Sequence, residues 1–440
     1  MYSENEKIYC ISLGCPKNQA DIEHILAILQ KYLPNVSFTK DLFKATLLLI
    51  NTCSFIEEAV SESIDTILEI AQKKQQGQKL CVVGCLPLRY KKNILEPLPE
   101  VDFFSFKNEP EEIALDLICF LLKKNNHSIR LTKRDKIERI YTGSPFSAFV
   151  KISDGCSRKC TYCLIPKIKG GIRHRNPKDI IQEINILNQK GTKEIILVAQ
   201  DLTSYNYNDL TLTDLLEKIL NNTNIKWLRL MYLYPQGITE KLLKFIKNEP
   251  RICNYLDIPI QHASDKILRR MGRRITKNSL NKLFETIKKI LPGCSLRTTV
   301  MTGFPGEDEK DFEMLVDFIK NWEFHHLGCF TYSDEDEAYS KRFKEKVNKE
   351  IAHARKEEIL KLQREISYKI NQSYIGKKID VLVNGYCKET NLLICGRSHF
   401  QAPEVDGTIY INKGNATPGN IEKVLITEAY HYDLVGEIIV

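Results

Sequence analysis

The chain has 440 residues, 43% hydrophobic and 27% charged, which exceeds what one ordinary domain needs and leaves room for two to four hydrophobic cores. It contains no apolar run near the ~20 residues of a membrane span, and its opening MYSENEKIYC has no basic segment leading into an apolar one, so a cytoplasmic address is expected. The net charge of +8, from 64 Lys and Arg against 56 Asp and Glu, is compatible with docking on RNA or a ribosome and equally with a solvated surface.

In chain order, the first hundred residues alternate β-rich apolar runs (IYCISLG, ATLLLINT, KLCVVG) with helical stretches (DIEHILAILQKYL, FIEEAVSESIDTILEIAQKK). Apolar strands separated by helices predict a parallel sheet covered on both faces. Cys15, Cys53 and Cys85 each stand where one of these strands ends. In a parallel sheet such ends share one edge, the edge where open α/β folds bind ligands, so three thiols should converge there. Cys10 and Cys81 lie inside the same strands and read as core, as does Cys119 in a helix-like run. The charged stretch KKNNHSIRLTKRDKIER then reads as a linker or exposed excursion.

From Ala148 six further strand and helix pairs follow, from AFVKISD to HHLGCFTYS, predicting a partial barrel or a long open sheet. A long charged helix leads out of them. The last ~70 residues are short β-prone runs broken by Gly, Asn and Pro, the pattern of a small antiparallel barrel. The expected fold class is therefore α/β: an N-terminal parallel α/β domain over 1–135, a (β/α)6 core with its trailing helix over 142–370, and a small β-barrel over 371–440.

Immediately after the first strand of the second domain comes DGCSRKCTYC, placing Cys156, Cys160 and Cys163 in a Cys-x3-Cys-x2-Cys pattern. Three thiols in one loop are hard to explain as packing and point to metal. A structural zinc site wants four ligands, with His174 the nearest candidate, and an electron-transfer ferredoxin run also uses four. Three thiolates on a cubane cluster leave one iron open for a substrate. The remaining thiols, Cys253, Cys294, Cys329, Cys387 and Cys395, have no motif around them and read as packing.

The triad at the mouth of a six-unit βα barrel resembles the radical S-adenosylmethionine (SAM) superfamily. That resemblance implies a 4Fe-4S cluster whose open iron holds SAM, and a 5'-deoxyadenosyl radical that takes hydrogen from an unactivated carbon. It also implies SAM contacts from Tyr162 beside the third ligand, Gln200 and Asp201 in VAQD, Gln261 in IPIQHAS and Gly303 in MTGFPGE. The alternatives, an electron-transfer iron-sulfur protein and a zinc protein, lack the open-iron ligand count or a need for so large a barrel.

With a second thiol set in the first domain and a terminal β-barrel, the whole chain is similar to the methylthiotransferases. The resemblance implies a second 4Fe-4S cluster on Cys15, Cys53 and Cys85, and a terminal TRAM domain that recognises a macromolecular substrate. SLGCPKN, NTCSFIEEAVSESIDTI, KISDGC, YLDIPIQHASDKILRRMGR and APEVDG look like the branch that methylthiolates the β-carbon of one aspartate in ribosomal protein S12. The tRNA-modifying branch, which usually carries Gly-Cys-Gln-Met-Asn at the first site, is the alternative, and Lys17 and Asn18 bear on that choice. The implied partners are S12, free or within the small ribosomal subunit, an external electron donor and a sulfur source, without membrane or tRNA. One SAM would methylate sulfur at the N-terminal cluster and a second would generate the radical, so both clusters should face one cavity. Three departures from the family pattern occur: Lys169 stands where Arg is usual, His174-Arg175 replaces a Ser-Arg pair, and YSDEDEAYS lacks a common Gly-Thr. Lysine keeps the charge at 169 but loses bidentate bonding to a carboxylate.

Overall fold

The computed structural model describes residues 6–33, 35–123, 131–132, 138–387 and 393–439. The chain separates into two compact units: Met1–Gly143, Phe149–Arg158 and Cys163–Leu187 make one, and Ser144–Ala148, Lys159–Tyr162 and Asn188–Val440 the other.

The first unit contains strands β1 (Lys7–Ser12), β2 (Ser37–Phe38), β3 (Leu47–Thr52), β4 (Lys79–Gly84) and β5 (Phe103–Phe104), all parallel, in the order β2-β1-β3-β4-β5. Helices α1 (Pro16–Tyr32), α2 (Glu57–Lys73), α3 (Cys85–Tyr90) and α4 (Pro110–Leu122) connect and cover them. Alternate residues of the apolar strands feed two cores. Leu47, Leu49, Cys81 and Val83 pack with Ile22, Ile25 and Leu29 of α1 and Leu117 of α4. Leu48, Ile50, Leu80 and Val82 pack with Ile67 and Ile70 of α2 and Leu86 of α3. Continuous apolar strands thus fill a sheet with two dry faces, as expected. Cys81 is a core residue and Cys10 packs against the same core, whereas Cys119 is only half-buried on α4.

The same unit holds strand β6 (Ser147–Lys151) from Phe149 onward, the short pair β7 (Ser153–Asp154) and β8 (Arg173–His174), and helices α5 (Ile165–Ile168) and α6 (Pro177–Gln189). Most of the charged stretch at 123–139 lies outside the described residues. Its last residue is not exposed: Arg139 is 1% accessible, donating to Glu23, to Glu183 at 2.7 Å and to the Phe149 carbonyl at 2.7 Å. Arg175 at 2.7 Å completes the surroundings of Glu183. Pairing and hydrogen bonding are what make so buried a guanidinium tolerable, and no periodicity in the sequence announces them.

In the second unit, β9 (Glu194–Val198), the hairpin β10 (Asn206–Tyr207) and β11 (Leu210–Thr211), β12 (Trp227–Leu230), β13 (Ile252–Asp257), β14 (Ser295–Thr302) and β15 (His326–Thr331) follow in sequence. The main sheet runs β15-β14-β13-β12-β9-β6, and its recorded strand pairs from β9 to β15 are parallel. The amides of Lys193 and Glu194 donate to the Phe146 carbonyl at the start of β6. Helices α7 (Leu212–Asn222), α8 (Glu240–Asn248), α9 (Asp265–Arg270), α10 (Lys277–Ile290), α11 (Glu309–Trp322) and α12 (Lys349–Gln372) lie between and after the strands. Capping boxes at Thr211 and Asp308 start α7 and α11 where the apolar period begins.

The terminal strands β16 (Lys378–Tyr386), β17 (Ile394–Ser398), β18 (Ile409–Lys413), β19 (Ile421–Ala429) and β20 (Leu434–Ile438) close a barrel in the order β16-β17-β18-β20-β19. Its segment 397–406 docks on the amino-terminal ends of the parallel strands through a buried ionic layer. Glu194, the first residue of β9, accepts from Arg229 at 2.7 Å and Arg397 at 2.8 Å. Asp406 accepts from Tyr255 at 2.9 Å, Arg297 at 2.5 Å and the Ala402 amide at 2.7 Å. The APEVDG run is therefore an anchor between this barrel and the sheet.

Two predictions follow from these buried charges. Replacing Arg139 with Met takes the cation from buried Glu23 and one of the two guanidiniums from Glu183, and urea unfolding should show a loss of about 3–5 kcal/mol. Burial alone would raise the Glu194 carboxyl, but Arg397 and Arg229 outweigh it and hold the group at about 2, against an ordinary 4.5. Its ionised form thus contributes stability that is complete above pH 4.5 and lost as pH falls toward about 2. Glu194→Gln should flatten the slope of unfolding free energy against pH in that window.

Candidate active site: two sets of cysteines

In the first unit, β1, β3 and β4 are adjacent and in register, with Ser12 opposite Asn51 and Thr52 opposite Gly84. The residues just past them must therefore sit side by side. Cys15 caps α1 with Pro16 as first helical residue, Cys53 follows Thr52, and Cys85 opens α3. Several backbone ties hold these ends together. Asn18 donates from Nδ2 to the carbonyls of Leu13 and Thr52, both at 3.0 Å, and its Oδ1 lies 3.9 Å from the Cys85 Sγ. Asn51 donates back to the Asn18 carbonyl at 2.9 Å, and Thr52 Oγ1 donates to Val83 at 2.6 Å. Ser63 of α2 accepts from the Cys53 amide at 3.2 Å and donates to its carbonyl at 2.8 Å. Gly14 has φ +88°, and a Cβ there would lie 2.6 Å from Cys53 Cβ and 2.9 Å from its Sγ. Only glycine fits so close an approach in a left-handed conformation.

The three thiols interact electrostatically. Burial pushes Cys85 up to about 12, Lys169 pulls it down, and Cys15 and Cys53 push it up further. Burial likewise raises Cys53, opposed by the amides of Phe55 and Ser54. Burial thus favours the protonated thiol at Cys53 and Cys85, and a cluster would have to displace those protons. Among the described residues, no three His, Cys, Asp or Glu are drawn together closely enough for a single metal ion. Three thiols from three strand ends, with no imidazole among them, suit a polynuclear cluster, where each thiolate binds a different iron, better than a tetrahedral zinc.

Cys156 and Cys163 belong to the first unit and Cys160 to the second. In the first, Gly155 has φ +71°, and a Cβ there would meet the Gly171 carbonyl oxygen first and that of Gly170 at 2.7 Å, so the chain turns tightly before Cys156. The Cys156 amide donates to Gly170 at 3.2 Å, and its Sγ accepts from the Arg158 amide at 3.4 Å. In the second unit, Thr161 donates from its amide to Met271 at 3.0 Å and from Oγ1 to Arg270 at 2.9 Å. Tyr162 meets Phe304 edge-on at 6.3 Å, and Arg273 reaches its hydroxyl at 3.5 Å.

The other sequence-predicted residues lie just beyond carboxyl ends of strands in the second unit: Gln200 and Asp201 after β9, Gln261 after β13, Gly303 after β14. Asp201 accepts from the Thr203 amide at 3.0 Å and its hydroxyl at 2.6 Å, capping the next turn. Gln261 has φ +71° and bridges to Val300. The Gly303 amide donates to both oxygens of Glu307 at 3.1 Å, and its missing Cβ admits Ala352 of α12.

Family models match along the whole chain: Uncharacterized protein family UPF0004 over residues 7–105, Radical SAM superfamily over 150–319 and TRAM domain over 375–439. The ribosomal protein uS12 methylthiotransferase RimO of Geobacter sulfurreducens is 40% identical over 453 residues, covering 100% of both chains. That of Acetivibrio thermocellus is 40% identical over 99% of this chain and 98% of its own.

The chain belongs to the RimO family.

The radical S-adenosylmethionine methyltransferase TsrM of Kitasatospora setae, solved with cobalamin and a [4Fe-4S] cluster, shares the fold at TM-score 0.52 and 13% identity over 74% of this chain and 75% of its own. Two groups of residues beside the motif positions carry no sequence signal of their own. Arg273 ends the RimO-like run YLDIPIQHASDKILRRMGR; it is buried, stacks over Tyr234 at 4.5 Å and donates to the Pro259 carbonyl at 2.6 Å. Burial would lower its basicity, but Tyr162, Tyr234 and Cys160 raise it, so a permanent cation stands near Cys160. Glu307, flanked by His262 at 3.4 Å and Arg355 at 2.8 Å, holds the Gly303 turn against α12. Both lie next to motif residues, which was the available signal, but their partners are distant in sequence. Asn18, in the GCPKN signature, is buried under the strand ends, where it ties down the thiol loops.

Gly14→Ala should cost at least about 1–2 kcal/mol from the left-handed conformation alone. The thermal midpoint should fall below that of the parent, and further than in Gly77→Ala, where φ is also positive, +93°, but no atom lies within 4 Å of the added Cβ, the excess being the contact with Cys53.

Proposed function

We propose that Cys15, Cys53 and Cys85 hold one 4Fe-4S cluster, that Cys156, Cys160 and Cys163 hold a second, and that the chain uses them to methylthiolate an aspartate β-carbon of ribosomal protein S12. The full-length likeness to uS12 methylthiotransferases, with both thiol sets at sheet edges or in a pinned loop, carries this reading. When bound, the clusters and SAM supply sulfur methylation and a carbon-centred radical, chemistry outside the reach of side-chain acids and bases.

The chain's own residues bind and orient. Tyr162, fixed by Phe304 and Arg273, is placed to support the adenine of SAM. Gln200, Asp201 and Gln261 offer polar groups at strand ends, and Gly303, its amide taken by Glu307, contributes its carbonyl and a close backbone approach. Residues 1–135 house the auxiliary centre, 142–370 the SAM centre, and the barrel at 371–440 meets the macromolecular substrate. Free S12 or the small ribosomal subunit is the partner, an external reductant and a sulfur source are required, and tRNA is not a substrate. No helix among the described residues is long and apolar enough to cross a membrane, and a cytoplasmic setting suits a ribosomal substrate.

Intact-mass analysis of S12 and nucleoside analysis of tRNA from cells with and without the gene test this directly. Loss of one methylthio group from S12 alone is expected; loss from tRNA adenosine alone overturns the assignment. Reconstituted protein should release 5'-deoxyadenosine with SAM and reductant, and about eight irons per chain should fall to about four when Cys15, Cys53 and Cys85 are replaced by Ala.

A further inference from the structure

Lys169 follows the third cysteine of the loop triad by six residues, yet its side chain is turned inward within the first unit and is only 6% accessible. Three contacts fix the backbone that carries it: its amide donates to Ile165 at 2.8 Å, and its carbonyl accepts from Asn108 at 3.2 Å and Arg173 at 3.0 Å. Helix α5, which it ends, packs on α3, which begins with Cys85.

The charges around it form a buried set that Arg173 joins from its edge, 3.9 Å from Asp154. Lys151 donates to Asp21, and to Asp154 at 3.1 Å. The Lys169 ammonium stands 3.9 Å from the other oxygen of Asp21, beyond hydrogen-bond distance but within reach as an ion pair. Asp21 lies one turn along α1 from Asn18, whose Oδ1 is 3.9 Å from the Cys85 Sγ, so the Lys169 ammonium beside Asp21 also stands on the Cys85 side of the helix, and each is the largest favourable charge partner of the other. A point charge on a flexible stem suits a sulfur, which has no planar pair of oxygens for an arginine fork to match.

We propose that Lys169 is a positioning residue that makes the auxiliary centre on Cys85 electron-accepting and ties its potential to the loop carrying Cys163. The inference rests on the reading of Cys15, Cys53 and Cys85 as ligands of one cluster. A buried cation beside a cluster favours the form with one more electron, and Asp21, as the buried anion of the same set, opposes it. Their removal should therefore move the potential in opposite directions, which a merely structural disturbance would not do.

The test uses the full-length chain with Cys156, Cys160 and Cys163 replaced by Ala, loaded anaerobically with iron and sulfide and titrated with dithionite under electron paramagnetic resonance. Against that parent, Lys169→Met should shift the ratio of reduced to oxidised cluster about tenfold toward the oxidised form, about 59 mV for one electron, with Lys169→Arg close to the parent. Asp21→Asn should shift it the other way. Loaded Lys169→Met at the parent's potential, or both variants moving together, overturns the proposal. Should Lys169→Met fail to load, Asp21→Asn decides: a shift toward the reduced form supports the proposal and an unchanged potential overturns it. A parent that binds no iron defeats the ligand reading itself, and does so before any titration.

Discussion

The register of three neighbouring parallel strands is the constraint on which the first unit's chemistry depends. Parallel pairing of β1, β3 and β4 fixes where each chain leaves the sheet, and hydrogen bonds leave no freedom to slip without turning each strand's apolar residues to the wrong core. Cys15, Cys53 and Cys85 are thus carried to one edge by backbone geometry. Asn18, Asn51 and Thr52 turn that placement into a fixed loop cluster by satisfying the carbonyls and amides that a strand end would leave unpaired.

Buried charge does the corresponding work elsewhere. In the first unit, Arg139 with Glu23 and Glu183 joins α1 to α6 and β6, while Lys151, Asp21 and Asp154 connect α1 to the strand pair leading into Cys156. In the second, Glu194 and Asp406 fasten the terminal barrel to the amino ends of the sheet. Such pairs are poor sources of net stability but costly to break, so they fix one arrangement of elements that apolar contacts alone would leave interchangeable. The placement of Asp406 commits the 397–406 segment to anchoring the terminal barrel on the sheet.

Glycine allows close approach at three of these loops. Gly14 lets the first loop lie on Cys53, Gly155 admits the carbonyls of the 170–171 turn, and Gly303 admits α12. In each case a methyl group would displace backbone or a cysteine, so the residues are demanded by close approach as much as by their positive φ.

The sequence by itself determined the architecture and the thiols. Alternation of β-rich runs and amphipathic helices is a local signal, and so is a cysteine at a strand end or three within eight residues; local patterns are what one chain displays. Only the tertiary structure decided what surrounds them. Arg139 stands in a charged run that reads as exposed and is buried, Asn18 stands in a family signature and is a clamp between strand ends, and Lys169 stands where arginine is usual and is buried beside Asp21. Each of these side chains meets partners tens to more than a hundred residues away, and burial of a polar group is permitted only by those partners, so its role is written nowhere in its own neighbourhood.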